Sequence, residues 1–418
     1  MGNKKIPKIR FNNSKIDWQQ VKFKNLLNSE EGIRRGPFGS ALKKELFVQN
    51  SEYVVYEQQN AIYDHFNTRY RISEEKYREL KKFMLLPGDF IMSGAGTIGK
   101  ISLVPEGIEK GVFNQALIRL RVNKNTDKEF FLQWMRSPEM QNKLTKANPA
   151  SAIVNLVPMS EVKEWDVIVP SIEEQSAIGS LFRTLDDLLD SYKDNLTNYQ
   201  SLKATMLSKM FPKTGQTVPE IRLDGFEGEW EINKLNKYLT VSKKKNTQQK
   251  FGKEDVLSVS GEVGIVNQIQ FQGRSFAGVS VEMYSIVDTG NIVYTKSPLK
   301  ANPYGIIKTN YGIPGIVSTL YAVYLPNENV FSGFVERYFE NDLRLNSYLK
   351  PLVNKGAKND MKVSDENALL GNVIFPKLEE QVAISDYFTN LDKFIQSYKE
   401  KISQLETLKK KLLQNMFI

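Results

Sequence analysis

Pro170-Ser171-Ile172-Glu173-Glu174-Gln175 and Pro376-Lys377-Leu378-Glu379-Glu380-Gln381 open two stretches of this chain that say nearly the same thing. From there to Phe211 and Phe417 the copies align without a gap. Identical pairs include Ala177 and Ala383, Ile178 and Ile384, Phe182 and Phe388, Leu185 and Leu391, Asp186 and Asp392, Tyr192 and Tyr398, and Met210 and Met416. A shorter echo precedes each half: Pro7-Lys8-Ile9-Arg10 with Trp18, then Pro219-Glu220-Ile221-Arg222 with Trp230. The spans between, 25–168 and 237–374, share only a loose pattern. The chain reads as two half-units, each a variable body followed by a near-constant tail. A duplicated frame with two different inserts suits a protein that reads two different things.

The tails predict long helices. In the first, Ile178, Leu181, Leu185, Leu188, Tyr192, Leu196, Tyr199, Leu202, Met206 and Met210 recur in steps of three and four, a heptad-like stripe. The second repeats it from Ile384 through Leu391 and Tyr398 to Met416. Ser171 and Glu174 have the spacing of a capping box, and Pro212 stops the first helix after Phe211. Each helix would be about 40 residues, roughly 60 Å long. Neither can bury such a stripe alone. They are expected to pack on each other as a coiled coil in either orientation, with Ile178, Leu185, Tyr192, Ile384, Leu391 and Tyr398 in the seam. The plainer alternative is that each stripe packs on its own body.

The bodies read as mixed α and β. In the first, Phe47–Tyr56, Phe90–Ser93, Lys100–Val104 and Ala116–Val122 are strand-like, Ser73–Phe83 and Lys128–Met135 helical, and Pro87-Gly88-Asp89 a turn. In the second, Asp288-Thr289-Gly290-Asn291 is the matching turn, Ile292–Thr295, Gly305–Thr309 and Leu320–Leu325 are strand-like, and Phe334–Tyr348 reads as one helix. The division along the chain is 1–168, a first recognition body; 169–212, a central helix; 213–374, a second body; and 375–418, a C-terminal helix.

Basic residues cluster in what read as loops of both bodies. The first has Arg34, Arg35, Lys43, Lys44, Arg69 and Arg71, with Ser40 among them. The second has Lys243, Lys244, Lys245, Arg274, Lys296 and Lys300, with Lys355 and Lys358 further on. Lys and Arg beside hydroxyl and amide side chains can hold phosphates and read base edges. The formal net charge of +9 suits a polyanionic partner, although for most single residues surface charge is solvated charge.

Composition closes other routes. There is no cysteine, hence no disulfide, thiolate metal site or cysteine nucleophile. His65 is the one histidine, in a polar stretch that reads as surface. The mean hydropathy is −0.39. The first residues lack the apolar core of a signal peptide, and no run is long and apolar enough for a bilayer, so a cytoplasmic protein is expected. Two motifs tempt and fail. Gly94-Ala95-Gly96-Thr97-Ile98-Gly99-Lys100 approaches a phosphate-binding loop, but strand-like Ile101-Ser102-Leu103-Val104 follows where a helix is needed. Asn302-Pro303-Tyr304 lacks one proline of the Asn-Pro-Pro-Tyr motif of amino-methyltransferases.

Taken together, the two Glu-Glu-Gln helix starts, Pro219-Glu220-Ile221-Arg222-Leu223 with Trp230, Gly36-Pro37-Phe38-Gly39-Ser40, and Leu86-Pro87-Gly88-Asp89 with Gly96-Thr97-Ile98-Gly99 resemble the DNA-specificity subunits of type I restriction–modification enzymes. The resemblance covers the whole chain in order. It implies an α+β fold: two similar mixed α/β target-recognition domains separated by two long antiparallel coiled-coil helices, as a pseudo-two-fold internal repeat. It implies a subunit without catalysis of its own that binds double-stranded DNA at a bipartite, asymmetric site. The partners it implies are two modification subunits that methylate adenine using S-adenosylmethionine, and restriction subunits that add ATP-driven translocation and cleavage with magnesium. No cofactor or metal is expected on this chain. Competing readings are an autonomous methyltransferase built on Gly94–Lys100 and Asn302, and a coiled-coil scaffold that joins proteins without DNA.

Overall fold

The structure, a computed structural model, describes residues 7–11, 17–146, 158–355 and 361–417. The chain divides into two units. Unit 1 holds Met1–Lys193 and Glu400–Ile418, and unit 2 holds Asp194–Lys399.

Unit 1 is built on a four-stranded antiparallel sheet in the order Ile33–Arg35, Leu117–Leu120, Phe90–Ser93, Ile101–Leu103. Phe90–Ser93 and Leu117–Leu120 are buried throughout, as expected of strands covered on both faces. A second sheet runs Phe47–Val48, Tyr70–Ile72, Tyr53–Tyr56, Gly111–Phe113, and its last pair is parallel. Unit 2 has a four-stranded sheet of the same order: Leu239–Val241, Tyr321–Pro326, Ile292–Thr295, Ile307–Thr309. The turn into the central strand is also the same. In unit 1 the Asp89 carboxylate accepts from the Leu86 amide at 2.9 Å, and in unit 2 the Asn291 side chain accepts from the Asp288 amide at 2.9 Å. Each body is tied off by a two-stranded ribbon, Gln19–Lys22 with Asp166–Val169 and Glu231–Lys234 with Asn372–Phe375.

Three expected elements divide, the shortest break being in Ser73–Phe83, which is helix Glu74–Glu79 and a single tighter turn Lys81–Phe83. Phe47–Tyr56 is two short strands on either side of Tyr70–Ile72. The polar run Gln49-Asn50-Ser51-Glu52 turns the chain between them, with the Ser51 hydroxyl accepting from the Tyr53 amide. Phe334–Tyr348 is two helices, Ser332–Phe339 and Asp342–Leu349. Asn341 breaks the pattern, because its side chain accepts from the Arg344 amide and starts a new helix.

The long helices are Ile172–Lys209 and Leu378–Asn415, each 38 residues. Inside unit 1 the start of the first lies antiparallel to the end of the second. Phe182 meets Phe417 at 5.7 Å, Asp186 accepts from Lys409, and Lys193 lies 3.7 Å from Glu406. Unit 2 repeats this with the roles exchanged: Phe388 meets Phe211 at 6.1 Å, Asp392 pairs with Lys203 at 2.6 Å, and Tyr398 meets Tyr199 at 5.4 Å.

The apolar stripe serves helix and body at once. Ile178, Phe182 and Leu185 share a core with Phe130 and Trp134 of the first body. Ile384 and Phe388 share one with Phe334 and Phe375 of the second, and Leu391 is buried as well. Tyr192 sits under the Lys401 ammonium at 5.6 Å. In unit 2, Lys203, Arg337, Glu340 and Asp392 form a partly buried ion network. Burial pushes the Glu340 carboxyl up, but Arg337 and Lys203 outweigh it and hold the group below its ordinary value.

The short echoes lock the helix ends. Ile9 donates its amide to Asn415 at the end of the second helix, and Arg10 grips Glu174 at the start of the first with two bonds of 2.7 Å. Ile221 donates to Lys209 at the end of the first helix, and Arg222 grips Glu380 at the start of the second at 2.8 and 2.7 Å. The expected capping box is therefore only half made. The Ser171 hydroxyl accepts from the Glu174 amide at 3.5 Å, but the carboxylate goes to Arg10. The glutamines act next to it. Gln175 accepts from the Asp127 amide where helix Lys128–Arg136 begins, and Gln381 accepts from the Phe331 amide where helix Ser332–Phe339 begins. Removing either member of an Arg–Glu pair would strand a mostly buried charge, at a cost of about 3 kcal/mol.

Candidate nucleic-acid interface

The candidate cations fall into two groups by what the fold does with them. In unit 1, Arg34 and Arg35 lie on strand Ile33–Arg35 and Arg71 on strand Tyr70–Ile72, so these three are strand residues and not loop residues. The strands form there because their other residues, Ile33 and Ile72, turn into the body. Arg34 lies 3.7 Å from Glu31. Arg69 forks onto Glu57 at 2.7 and 3.1 Å, and Arg71 bonds Glu109 and the Ser51 carbonyl, both at 2.7 Å. The hydrogen bond from Arg69 to Glu57 raises the arginine above its ordinary value. Arg35, Lys43 and Lys44 have no ion-pair partner among the described residues. Ser40 stands in the single turn Gly39–Leu42 between them.

In unit 2, Lys244 pairs with Asp288 at 3.1 Å, Lys245 donates to the Ser285 hydroxyl at 2.9 Å, and Lys296 pairs with Asp365 at 2.8 Å. Arg274 lies over the Phe276 ring at 4.6 Å. Lys243 and Lys300 have no ion-pair partner among the described residues. Lys355 lies on strand Asn354–Lys355, and Lys358 lies outside the described residues. The run Lys243-Lys244-Lys245 follows strand Leu239–Val241, which occupies the sheet position that Ile33–Arg35 occupies in unit 1. Arg34 and Arg35 in unit 1 and the Lys243–Lys245 run in unit 2 thus belong to equivalent edges of the two four-stranded sheets.

Neutralising Lys243 should weaken binding to every DNA sequence and flatten the log–log salt dependence by up to about 0.9. Lys244→Ala should change the slope less, because that ammonium already pairs with the Asp288 carboxylate at 3.1 Å. Fluorescence titrations over a range of salt concentrations measure both, and equal slopes for wild type and the Lys243 variant would place this run away from DNA.

One cleft of about 400 Å³ brings Lys44 and Arg69 together with Phe38, Asn114 and Gln115. The last three escaped sequence reasoning, which followed charge. The available signal was an aromatic residue between two glycines in Gly36-Pro37-Phe38-Gly39. The tempting motifs resolve plainly. Gly94–Lys100 is a hairpin loop between Phe90–Ser93 and Ile101–Leu103, closed by the Gly99 amide on the Ser93 carbonyl at 3.0 Å. Asn302 donates its amide to Asp342 at 2.8 Å. His65 is half-buried, beside the Tyr63 ring. Among the described residues, no group of three or more His, Asp or Glu could hold a metal, and no helix is long and apolar enough to cross a membrane.

Comparison with known proteins gives this geometry a context. Residues 15–199 match the family model of the type I restriction modification DNA specificity domain. Over 371 residues the chain is 21% identical to a protein of Methanocaldococcus jannaschii described as the type I restriction enzyme MjaX specificity subunit, covering 82% of this chain and 80% of that one. It is 26% identical over 215 residues to the type I restriction enzyme EcoBI specificity subunit of Escherichia coli, covering 49% of this chain and 44% of that one. The crystal structure of a type I restriction–modification S subunit from M. genitalium superposes with a TM-score of 0.57 at 16% identity, covering 99% of both chains, which places the two in the same fold.

Proposed function

We propose that this chain, a specificity subunit of a type I restriction–modification system, reads a bipartite, asymmetric DNA site, one half with each unit. A specificity subunit is the non-catalytic, DNA-recognising member of a complex with other subunits. In this reading residues 1–168 and 213–374 recognise DNA, while 169–212 and 375–418 form the helical frame. The cations at Arg34, Arg35, Lys43, Lys44, Arg69, Arg71, Lys243, Lys244, Lys245, Arg274, Lys296 and Lys300, with Ser40, bind backbone and base edges. Two modification subunits supply adenine methylation with S-adenosylmethionine, and restriction subunits supply cleavage with ATP and magnesium. The complex works in the cytoplasm.

One observation carries the reading: two four-stranded sheets of the same order carry dissimilar surface segments on a frame whose two copies align without a gap. That is the form expected when one scaffold serves two sequence choices. The test is sequencing of methylated adenine in cells that carry this chain with its partner modification subunit. The expected motif has two specified parts separated by unspecified positions. A single contiguous motif, or none, overturns the proposal.

A further inference from the structure

We infer that Phe38 and Gln115 contact the bases read by unit 1, the phenyl ring inserting against them for affinity and the Gln115 amide reading an adenine edge for specificity. The inference rests on the DNA-reading function proposed above and adds the residues that touch the bases.

Phe38 is 91% exposed. An apolar ring left in water contributes nothing to this fold, and the chain holds it there by design of the backbone around it. The Gly36 amide donates to the Leu117 carbonyl at 2.9 Å, and the Ala41 amide donates back to the Phe38 carbonyl at 2.8 Å. A Cβ at Gly36 would lie 1.9 Å from the Asn114 carbonyl oxygen, so only glycine lets the two segments approach this closely. The loop that carries Phe38 is therefore pressed onto the Asn114-Gln115 turn. A Cβ at Gly39 would meet the Gln115 side-chain oxygen at 2.3 Å, which sets the Gln115 amide beside the Phe38 loop.

That amide is exposed and has no hydrogen-bond partner among the described residues. Its neighbour Asn114 is different, since its side-chain oxygen is used by the Ala116 amide at 3.0 Å. Of the two, Gln115 has no partner at either end of its amide among the described residues. A free Gln amide presents one donor and one acceptor, the pair that matches N7 and N6 of adenine in the major groove. Arg35, Lys43 and Lys44, which have no ion-pair partner among the described residues, flank the same loop, so the ring and amide stand where phosphates would be drawn in. A protein partner for Phe38 would not call for unpaired cations on both sides. Exposed aromatic side chains stack on bases or wedge between base steps.

The experiment uses the whole complex with Phe38→Ala, Gln115→Ala and, as a matched control, Tyr63→Ala, another exposed aromatic of unit 1 that is 71% exposed. Methylated-adenine sequencing reads the motif, and competition binding compares the motif duplex with a random one. Gln115→Ala should relax one A·T position in one half of the motif, with about tenfold less discrimination there, and leave the other half unchanged. Phe38→Ala should lower affinity for the motif duplex about tenfold, with subunit composition unchanged and Tyr63→Ala without effect. An unchanged motif and affinity in both variants overturns the inference. So does loss of subunit assembly in Phe38→Ala, which would make the ring a protein contact. A wild-type complex that shows no bipartite motif would sink the function proposed for the whole chain instead.

Discussion

Replacing residues 235–371 with the corresponding body of a related subunit should change one half of the methylated motif completely and leave the other half as it was. The effect is all-or-none, because the exchanged segment carries every candidate cation of unit 2 and none of unit 1. The cut points follow from the fold. The ribbon of Glu231–Lys234 with Asn372–Phe375 stays whole, as does the Arg222–Glu380 lock. The incoming body must bring apolar residues where Phe334 and Tyr338 face Phe211. It must also place a backbone amide where Gln381 accepts from Phe331. Sequencing methylated adenine before and after the exchange reads the outcome. If both halves of the motif changed together, the two units would not be reading independently.

Phe417→Ala should damage the unit at the opposite end of the sequence. Phe417 is 5% exposed and lies 5.7 Å from both Phe130 and Phe182, in the core of unit 1. Truncating a buried Phe costs about 3–5 kcal/mol through lost burial and the cavity left behind. Hydrogen exchange should speed up in strand Phe90–Ser93 of unit 1 and stay unchanged in Ile292–Thr295 of unit 2. Phe211→Ala should do the reverse, since Phe211 packs on Trp230, Phe334 and Phe388 of unit 2. Faster exchange in unit 2 with Phe417→Ala would contradict the exchange of helix ends.

The repeat, the long helices and the central strands were legible because each is a local signal. A stripe at steps of three and four predicts a helix whatever it packs against, and runs such as Phe90–Ser93 announce a buried strand. What a stripe cannot state is its partner. Phe182 could pair with the other helix or with its own body, and it shares one core with both, with Phe417 of the other helix and Phe130 of the body. The Glu-Glu-Gln start was visible as a repeat but not as a clamp. Arg10 and Glu174, or Gln175 and Asp127, are brought together only by the fold. The candidate site was legible in composition and not in detail. Glu57, Glu109 and Asp365 neutralise Arg69, Arg71 and Lys296 from 12, 38 and 69 residues away, and a count of Lys and Arg cannot see them.

The exchange of helix ends also sets an order of events during synthesis. Unit 1 leaves the ribosome first, yet Met416 and Phe417, which complete its core, are made only after the whole of unit 2. At about 5–20 residues per second, some 200 intervening residues take roughly 10–40 s. Throughout that interval the rings of Phe130 and Phe182 lack their final neighbour, and the nascent chain leaves that apolar surface uncovered. Unit 2 meets no such delay, because the end of the first helix precedes its body. The unit that is translated first is the last to be finished.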